Sequence, residues 1–362
     1  MHKERGEKRD FLPAFVRNLP SYGAREIVLE EGYGSGMGYS EDDYARISPV
    51  VRFGTYEECL SQEVVLVLRC PDEAAIRKVR KGSVLFSMLH YPTRPSRVAL
   101  LRELGIDGVS LDAIVGDQNR RLVEDLNTVG WVGVRAAFEQ LAKSYSCYYR
   151  AGRRPIRVTL IGAGSVGGFA LRAATHYGDP NQRKQMVEEG KRGVEILVCD
   201  YDLSTDENYM LTRLEHTDIL IDATYRRDPS VPVCENSWIG ALPQHAVVLD
   251  LAADPYDFEV NPPLLKGLEG VPEGNLDQWV FMTDDPAYDR LDKRVNSKNR
   301  RIALSCNAWP GVAPKDSMRV YGKQVSRFMP FLLKKLPAEL NATSGHYYER
   351  ALARAYLQRW SP

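Results

Sequence analysis

"RVTLIGAGSVGGFALRAA", residues 157–174, is the stretch whose reading decides the fold. A run of alternating and apolar residues enters a glycine turn, and a run rich in Ala, Leu and Phe leaves it. Gly162, Gly164 and Gly167 stand at the G-x-G-x-x-G spacing, with Ser165 and Val166 between the last two. Each glycine has its own reason. Gly162 permits a tight turn, Gly164 lets the backbone approach a pyrophosphate, and Gly167 lets helix and strand pack closely. The helix that follows presents free N–H groups and the positive end of its dipole to the phosphates.

The next apolar run, "VEILVCD", ends in Asp200. A carboxylate at that strand end accepts hydrogen bonds from ribose hydroxyls and repels a 2′-phosphate, which favours NAD over NADP. Gly167 and Asp200 are 33 positions apart, against roughly 20 in the common motif. The excess fits an insertion at "YGDPNQRKQMVEEGKRG". The other reading is a ligand-free glycine turn beside an exposed acid. "GYGSGMGY", residues 32–39, lacks the six-residue spacing and reads as a loop.

Working outward, "REIVLEE", "EVVLVLR", "GSVLFSML", "GIDGVSLDA", "TDILIDAT", "HAVVLDLAA" and "RIALSCNA" are further strand candidates. Most are short apolar runs without strict alternation, as in strands buried on both faces. Helix-length segments separate them, a pattern that predicts parallel α/β sheets. The longest helical pattern, Leu122 to Tyr149, lies between two groups of strands and suits a connecting helix. The last segments, "SMRVYGKQVSRFMPFLLKKL" and "YYERALARAYLQRW", read as helices, and the Pro/Gly-rich Asn261 to Trp279 as a surface loop.

Bulk properties bound the function. A chain of 362 residues suggests two or three domains. Forty-eight basic residues balance forty-eight acidic ones, so no whole-chain field draws nucleic acid or anionic membrane. The six cysteines have no C-x-x-C spacing and read as reduced, which argues for a cytoplasmic protein without structural zinc. The charged start lacks a signal-peptide core, and no 18-residue apolar span predicts a membrane crossing.

The order of motifs resembles the alanine dehydrogenase family, which also includes the transhydrogenase α subunit and saccharopine dehydrogenases. Lys3, Glu4, Arg9 and Pro13 resemble its opening "PKE…R…TP", and "LEEGYGSGMGYSEDDY" its "EKGAGxGxGFSDxxY". "VLVLRCP" is similar to "VKVKEP", "LFSMLHYPTR" to "LFTYLHLA", and "LVEDLNTVGWVG" to "LAPMSEVAG". "VLDLAADPYD" resembles "VDVAxDQGG" and "SCNAWPGVAP" resembles "xVANMPGAVP". The chain starts at "MHKE", without the strand that precedes "PKE" in the family.

The resemblance implies two Rossmann-like domains with parallel sheets and an interdomain cleft. One, residues 1–128 with 311–362, would be the discontinuous substrate domain; the other, residues 129–310, would bind NAD. It implies an NAD-dependent amino-acid dehydrogenase acting on an amino acid or 2-oxo acid, and a homo-oligomer. By the same resemblance His90 and Asp254 are the expected catalytic pair, with Asp250 the nearest alternative to Asp254. Arg9 and Arg69 would hold the substrate, with Lys8 the alternative to Arg9. An imidazole suits protonation of a carbonyl oxygen, and guanidinium forks suit a carboxylate. Gly162, Gly164, Ser165, Val166, Gly167 and Asp200 would bind the nucleotide.

This chain departs from the family at Arg69 (lysine there), Met88 (tyrosine), Asn127 (serine) and Ala308 (asparagine). The departures turn the expectation away from alanine itself. Two other readings follow: a saccharopine- or opine-type dehydrogenase, and an NAD-binding protein without catalysis.

Overall fold

A computed structural model describes residues 6–360, so Lys3 and Glu4 of the opening motif lie outside the described residues. The chain divides into two compact units, Met1–Asp125 with Pro314–Pro362, and Leu126–Ala313. Both are α/β with parallel strands.

In the first unit, β1 (Ile27–Glu30) pairs in parallel with β2 (Val51–Gly54). A second parallel sheet has the order β3 (Val64–Arg69), β4 (Val84–Met88), β5 (Asp107–Ser110). β4 is apolar except for Ser87 and buried along nearly its whole length, as the centre of a parallel sheet requires. The helix Pro95–Leu104 crosses from β4 to β5. It starts on a proline, whose missing N–H costs nothing there, and ends at Gly105 in the left-handed region. The C-terminal segments return to this core: Met318, Val325, Phe328 and Leu352 pack with Leu68, Phe86 and Val109. A cavity of about 1170 Å³ runs along both β1 and β3. Among the described residues no strand lies between those two edges.

The second unit holds one six-stranded sheet in the order β10-β11-β9-β8-β6-β7. These are β6 (Ile156–Ile161), β7 (Val194–Cys199), β8 (Ile219–Asp222), β9 (Val247–Asp250), β10 (Val280–Phe281) and β11 (Ile302–Ser305). All pairs are parallel except β10 with β11. The chain runs from β6 outward to β7 and then back to β8 on the other side of β6. That reversal is a topological switch point, and ligands of open α/β sheets bind at the carboxyl ends of strands there. The helices Leu126–Ser144 and Ser165–Ala174 cross closely, because a Cβ on Gly130 would come 2.8 Å from the Ala170 nitrogen.

Some sequence expectations need correction. The nine strand candidates are all strands, but β2 and β10 were not among them. β2 reads "VRFG" and β10 has only two residues, too little for a hydrophobic pattern to register. The long helix is Leu126–Ser144, shorter than the apolar pattern from Leu122 to Tyr149. The stretch Asn261 to Trp279 is not a surface loop. Lys266, Leu268, Val271 and Leu276 are buried. Its backbone bonds to the end of β11, with Ser305 N donating to Trp279 O and Asn307 N to Gly274 O.

Candidate active site

β4 hands its chain to Leu89, fully buried, and then to His90 at φ 51°. A non-glycine residue at positive φ is uncommon and persists only where neighbours hold it. Here the neighbours come from β5 and beyond. Leu89 N donates to Ser110 Oγ at 3.0 Å, His90 N to Asp112 Oδ1 at 3.2 Å, and Arg97 to the Leu89 carbonyl at 3.0 Å. The His90 side chain is 47% exposed, and its Nδ1 lies 3.4 Å from Asp112 Oδ2. Ser110 Oγ donates to Asp112 Oδ1 at 2.7 Å. Burial alone would push the Asp112 carboxyl up. The hydrogen bond and charge of His90, with the Ser110 hydroxyl, outweigh it and hold the group at about 2. Asp112 is therefore an anion that braces the inner nitrogen of His90 and leaves Nε2 for a substrate.

Asp112 was missed by sequence reasoning. A signal existed: "SLD" closes β5, which pairs with β4 in register Ser87 with Ser110. Polar residues at the ends of adjacent parallel strands come to one edge.

Arg69 reaches the same edge. It is the register partner of Met88, after a shift that leaves Val67 and Leu68 out of the even pairing. Such a bulge re-aims the side chain that follows it. Arg9 is not on a strand. It is 5% exposed, and its guanidinium donates to Glu7 at 2.9 and 2.5 Å. That fork is engaged by the chain's own carboxylate, whereas Lys8 is exposed.

In the second unit, Gly162 lies at φ 95°, and a Cβ there would meet Ala223 O at 2.8 Å and Thr224 Cα at 3.1 Å. A Cβ on Gly167 would come 2.1 Å from the Gly162 carbonyl. Gly164 differs: nothing lies within 4 Å of its Cβ position. It is the N-cap of the helix Ser165–Ala174, with no side chain capping the first turn. Ser165 and Ala163 are exposed, and Val166 is half-buried. Free N–H groups facing open space beside a backbone without side chains make an anion cradle that fits a pyrophosphate. Asp200 is exposed at the end of β7, next to β6, where its carboxylate also accepts the Tyr201 N–H at 2.9 Å. The glycine turn and Asp200 thus fit a dinucleotide.

The two candidate acids, Asp250 at the end of β9 and Asp254 after it, separate cleanly. Asp250 is 1% exposed and bound by Lys266 Nζ at 2.7 Å. Asp254 is 41% exposed, and Arg226 NH2 donates to its Oδ2 at 2.8 Å. The rest of the Arg226 fork is buried against the carbonyls of Pro229, Val231 and Leu265. Arg226, on the loop after β8, is a second residue that sequence reasoning missed. Asn307 and Ala308 stand after β11, where Trp309 Nε1 donates to the Asp250 carbonyl at 2.9 Å. Among the described residues no cluster of His, Cys, Asp and Glu could hold a metal ion, and no helix is long and apolar enough to cross a membrane.

Residues 3–128 match the model of the alanine dehydrogenase/PNT N-terminal domain. Alanine dehydrogenase of Geobacillus stearothermophilus is 22% identical over 251 residues, 67% of each chain. Alanine dehydrogenase 1 of Staphylococcus aureus strain N315 is 23% identical over 125 residues, which is 34% of this chain and 32% of that one. Among solved structures, an L-alanine dehydrogenase superposes with a TM-score of 0.71 at 17% identity, covering 98% of this chain and 92% of the other. The transhydrogenase from Sinorhizobium meliloti gives 0.64 at 17% identity, covering 93% and 94%. At such identities the structural likeness speaks for the fold.

Proposed function

Because this chain belongs to the alanine dehydrogenase/transhydrogenase superfamily, we propose that it is an NAD-dependent amino-acid dehydrogenase. It would interconvert an L-amino acid with a 2-oxo acid and ammonia. The observation that carries this reading is His90, displayed at the carboxyl end of β4 in a left-handed turn and braced by a buried anionic Asp112.

NAD would lie on the glycine turn, with its pyrophosphate at Gly164 and Ser165 and its ribose at Asp200; when bound, it supplies or accepts the hydride. The chain's own residues do the rest. Arg69 offers a planar fork to the substrate carboxylate. Arg9 is bound to Glu7 and has the weaker claim to that task. His90 Nε2 hydrogen-bonds the carbonyl oxygen, and the negative charge that grows there as ammonia attacks is met by its proton. Asp112 fixes the orientation of the imidazole. The Asp254 carboxylate, partly exposed, takes a proton from the attacking amine, while Arg226 holds its Oδ2.

The test is turnover of NADH with ammonia and a panel of 2-oxo acids. His90→Ala is expected to cut kcat by about 10²-fold or more, with NADH binding unchanged by fluorescence titration. Equal turnover in the variant would overturn the assignment. A second reading, an opine- or saccharopine-type enzyme, is favoured by Met88, which stands in register beside Arg69 where the family carries a tyrosine. Replacing ammonia with lysine or ornithine in the same assay decides between them.

A further inference from the structure

Lys266 is 2% exposed, and a lysine is taken out of water only with a partner. Its Nζ donates to Asp250 Oδ2 at 2.7 Å and to Ser305 Oγ at 3.1 Å, and Ser305 Oγ donates to the same Oδ2 at 3.0 Å. The other oxygen, Asp250 Oδ1, accepts the N–H of Ala253 at 2.7 Å. Ala253 stands at φ 57°, a conformation that alanine seldom adopts. Asp254 is the next residue, so the backbone of Ala253 sets the direction in which its carboxylate leaves the loop.

The surroundings make the ammonium necessary. Asp222 is the register partner of Asp250 on β8 and is fully buried. Its carboxyl is pushed up to about 7, first by burial and then by the Asp250 charge beside it. Asp222 Oδ1 accepts from Thr224 N and Oγ1, while Oδ2 has no hydrogen-bond partner. Arg226, Cys234 and Tyr256 are the other titratable groups that act on these two carboxyls. Arg226 gives its two terminal nitrogens to Asp254 and to backbone carbonyls, its Nε is unpaired, and its charge lowers Asp222 without an ion pair to Asp250; Cys234 and Tyr256 bring no positive charge. Lys266 is the cation in direct contact with the Asp250 carboxylate.

We propose that Lys266 is a positioning residue: by binding Asp250 it holds Ala253 in its left-handed turn and thereby aims Asp254. This rests on the reading of Asp254 as the proton acceptor of the reaction. Without the ammonium, two carboxyl groups on adjacent strands face each other across a buried sheet edge. Asp250 then loses its grip on the Ala253 N–H, and nothing offsets the strain of the turn.

Lys266→Met keeps an unbranched side chain, one atom shorter, and removes the charge. The Ala253 amide is expected to exchange with deuterium about tenfold faster or more. In the amination assay kcat falls about tenfold or more, with KM for NADH within about twofold. Adding Ala253→Gly, which takes the turn without strain, brings kcat back to within about threefold of wild type. Unchanged Ala253 exchange in Lys266→Met, or a folded variant that glycine does not rescue, overturns the proposal. If Lys266→Met does not fold, Ser305→Ala is expected to speed Ala253 exchange about threefold, and no change there overturns it equally. If the wild-type protein turns over no 2-oxo acid, the reading of Asp254 fails, while Ala253 exchange still decides the role of Lys266.

Discussion

Which nitrogen of an imidazole faces a substrate is set by the group that holds the other. In this chain the holder is Asp112, and the arrangement has a measurable signature in pH. The Asp112 carboxyl moves from an ordinary value of 3.8 to about 2 on folding. A carboxyl lowered by folding stabilises the protein above its unfolded value, and that stabilisation is lost as pH falls through the folded one. That lowering corresponds to about 2 kcal/mol. Asp112→Asn is therefore expected to be less stable than wild type by about 2 kcal/mol at neutral pH, with the gap closing between about pH 4 and pH 2. Thermal melts across that range check the sign. The same substitution lowers kcat about tenfold without moving KM for NADH, since it touches the brace and not the nucleotide. The residue scale is also where the sequence was least legible. His90 could be found through the family resemblance of its surroundings, but Asp112, in the short 3-10 turn after β5, and Arg226, on the loop after β8, are placed by strand pairing and not by local pattern.

At the scale of elements, the glycine turn shows how one motif divides between structure and ligand. Gly167 is closed by the Gly162 carbonyl, 2.1 Å from where its Cβ would be, whereas the Cβ position of Gly164 is open. Gly167→Ala is thus expected to cost about 1–3 kcal/mol of stability from overpacking between β6 and its helix. Gly164→Ala, at φ −69°, leaves stability within about 0.5 kcal/mol. It puts a methyl where the pyrophosphate would approach, and NADH affinity falls about tenfold or more. Chemical denaturation and NADH titration on both variants check the contrast. This motif was legible because its spacing, its strand and its helix all agree. The segment Asn261 to Trp279 was not, because prolines and glycines mark a turn-rich chain without saying where it runs. Its backbone bonds to residues 229–234 around Lys266 and to the end of β11 farther along, partners distant in sequence, and so its one buried lysine gave no local sign.

Across the second unit as a whole, the two ends of the parallel sheet carry different kinds of charge cluster. The carboxyl end bears the glycine turn, Asp254 and the Lys266 group. The amino end bears Asp218, fully buried just before β8. Its two oxygens accept Arg154 at 2.6 and 2.7 Å, Arg157 N at 2.8 Å and His245 Nε2 at 2.8 Å. Burial alone would raise the Asp218 carboxyl. The Arg154 fork, the Arg157 N–H and His245 outweigh it and lower the group below 3.8. Its stabilisation is therefore full above about pH 4 and is lost as pH falls further. Nothing in this cluster touches the nucleotide end, so it serves stability without serving chemistry. Asp218→Ala leaves a guanidinium, a backbone N–H and an imidazole without their acceptor, a loss of about 3–5 kcal/mol. In a unit of this size that lowers the unfolding temperature by roughly 10 °C. Below that temperature NADH affinity and kcat are expected to equal those of wild type, because the strands transmit no change in register from one end of the sheet to the other. Calorimetry paired with NADH titration at 25 °C measures both halves. A variant that melts early yet also binds NADH weakly would show that the two ends of the sheet are coupled.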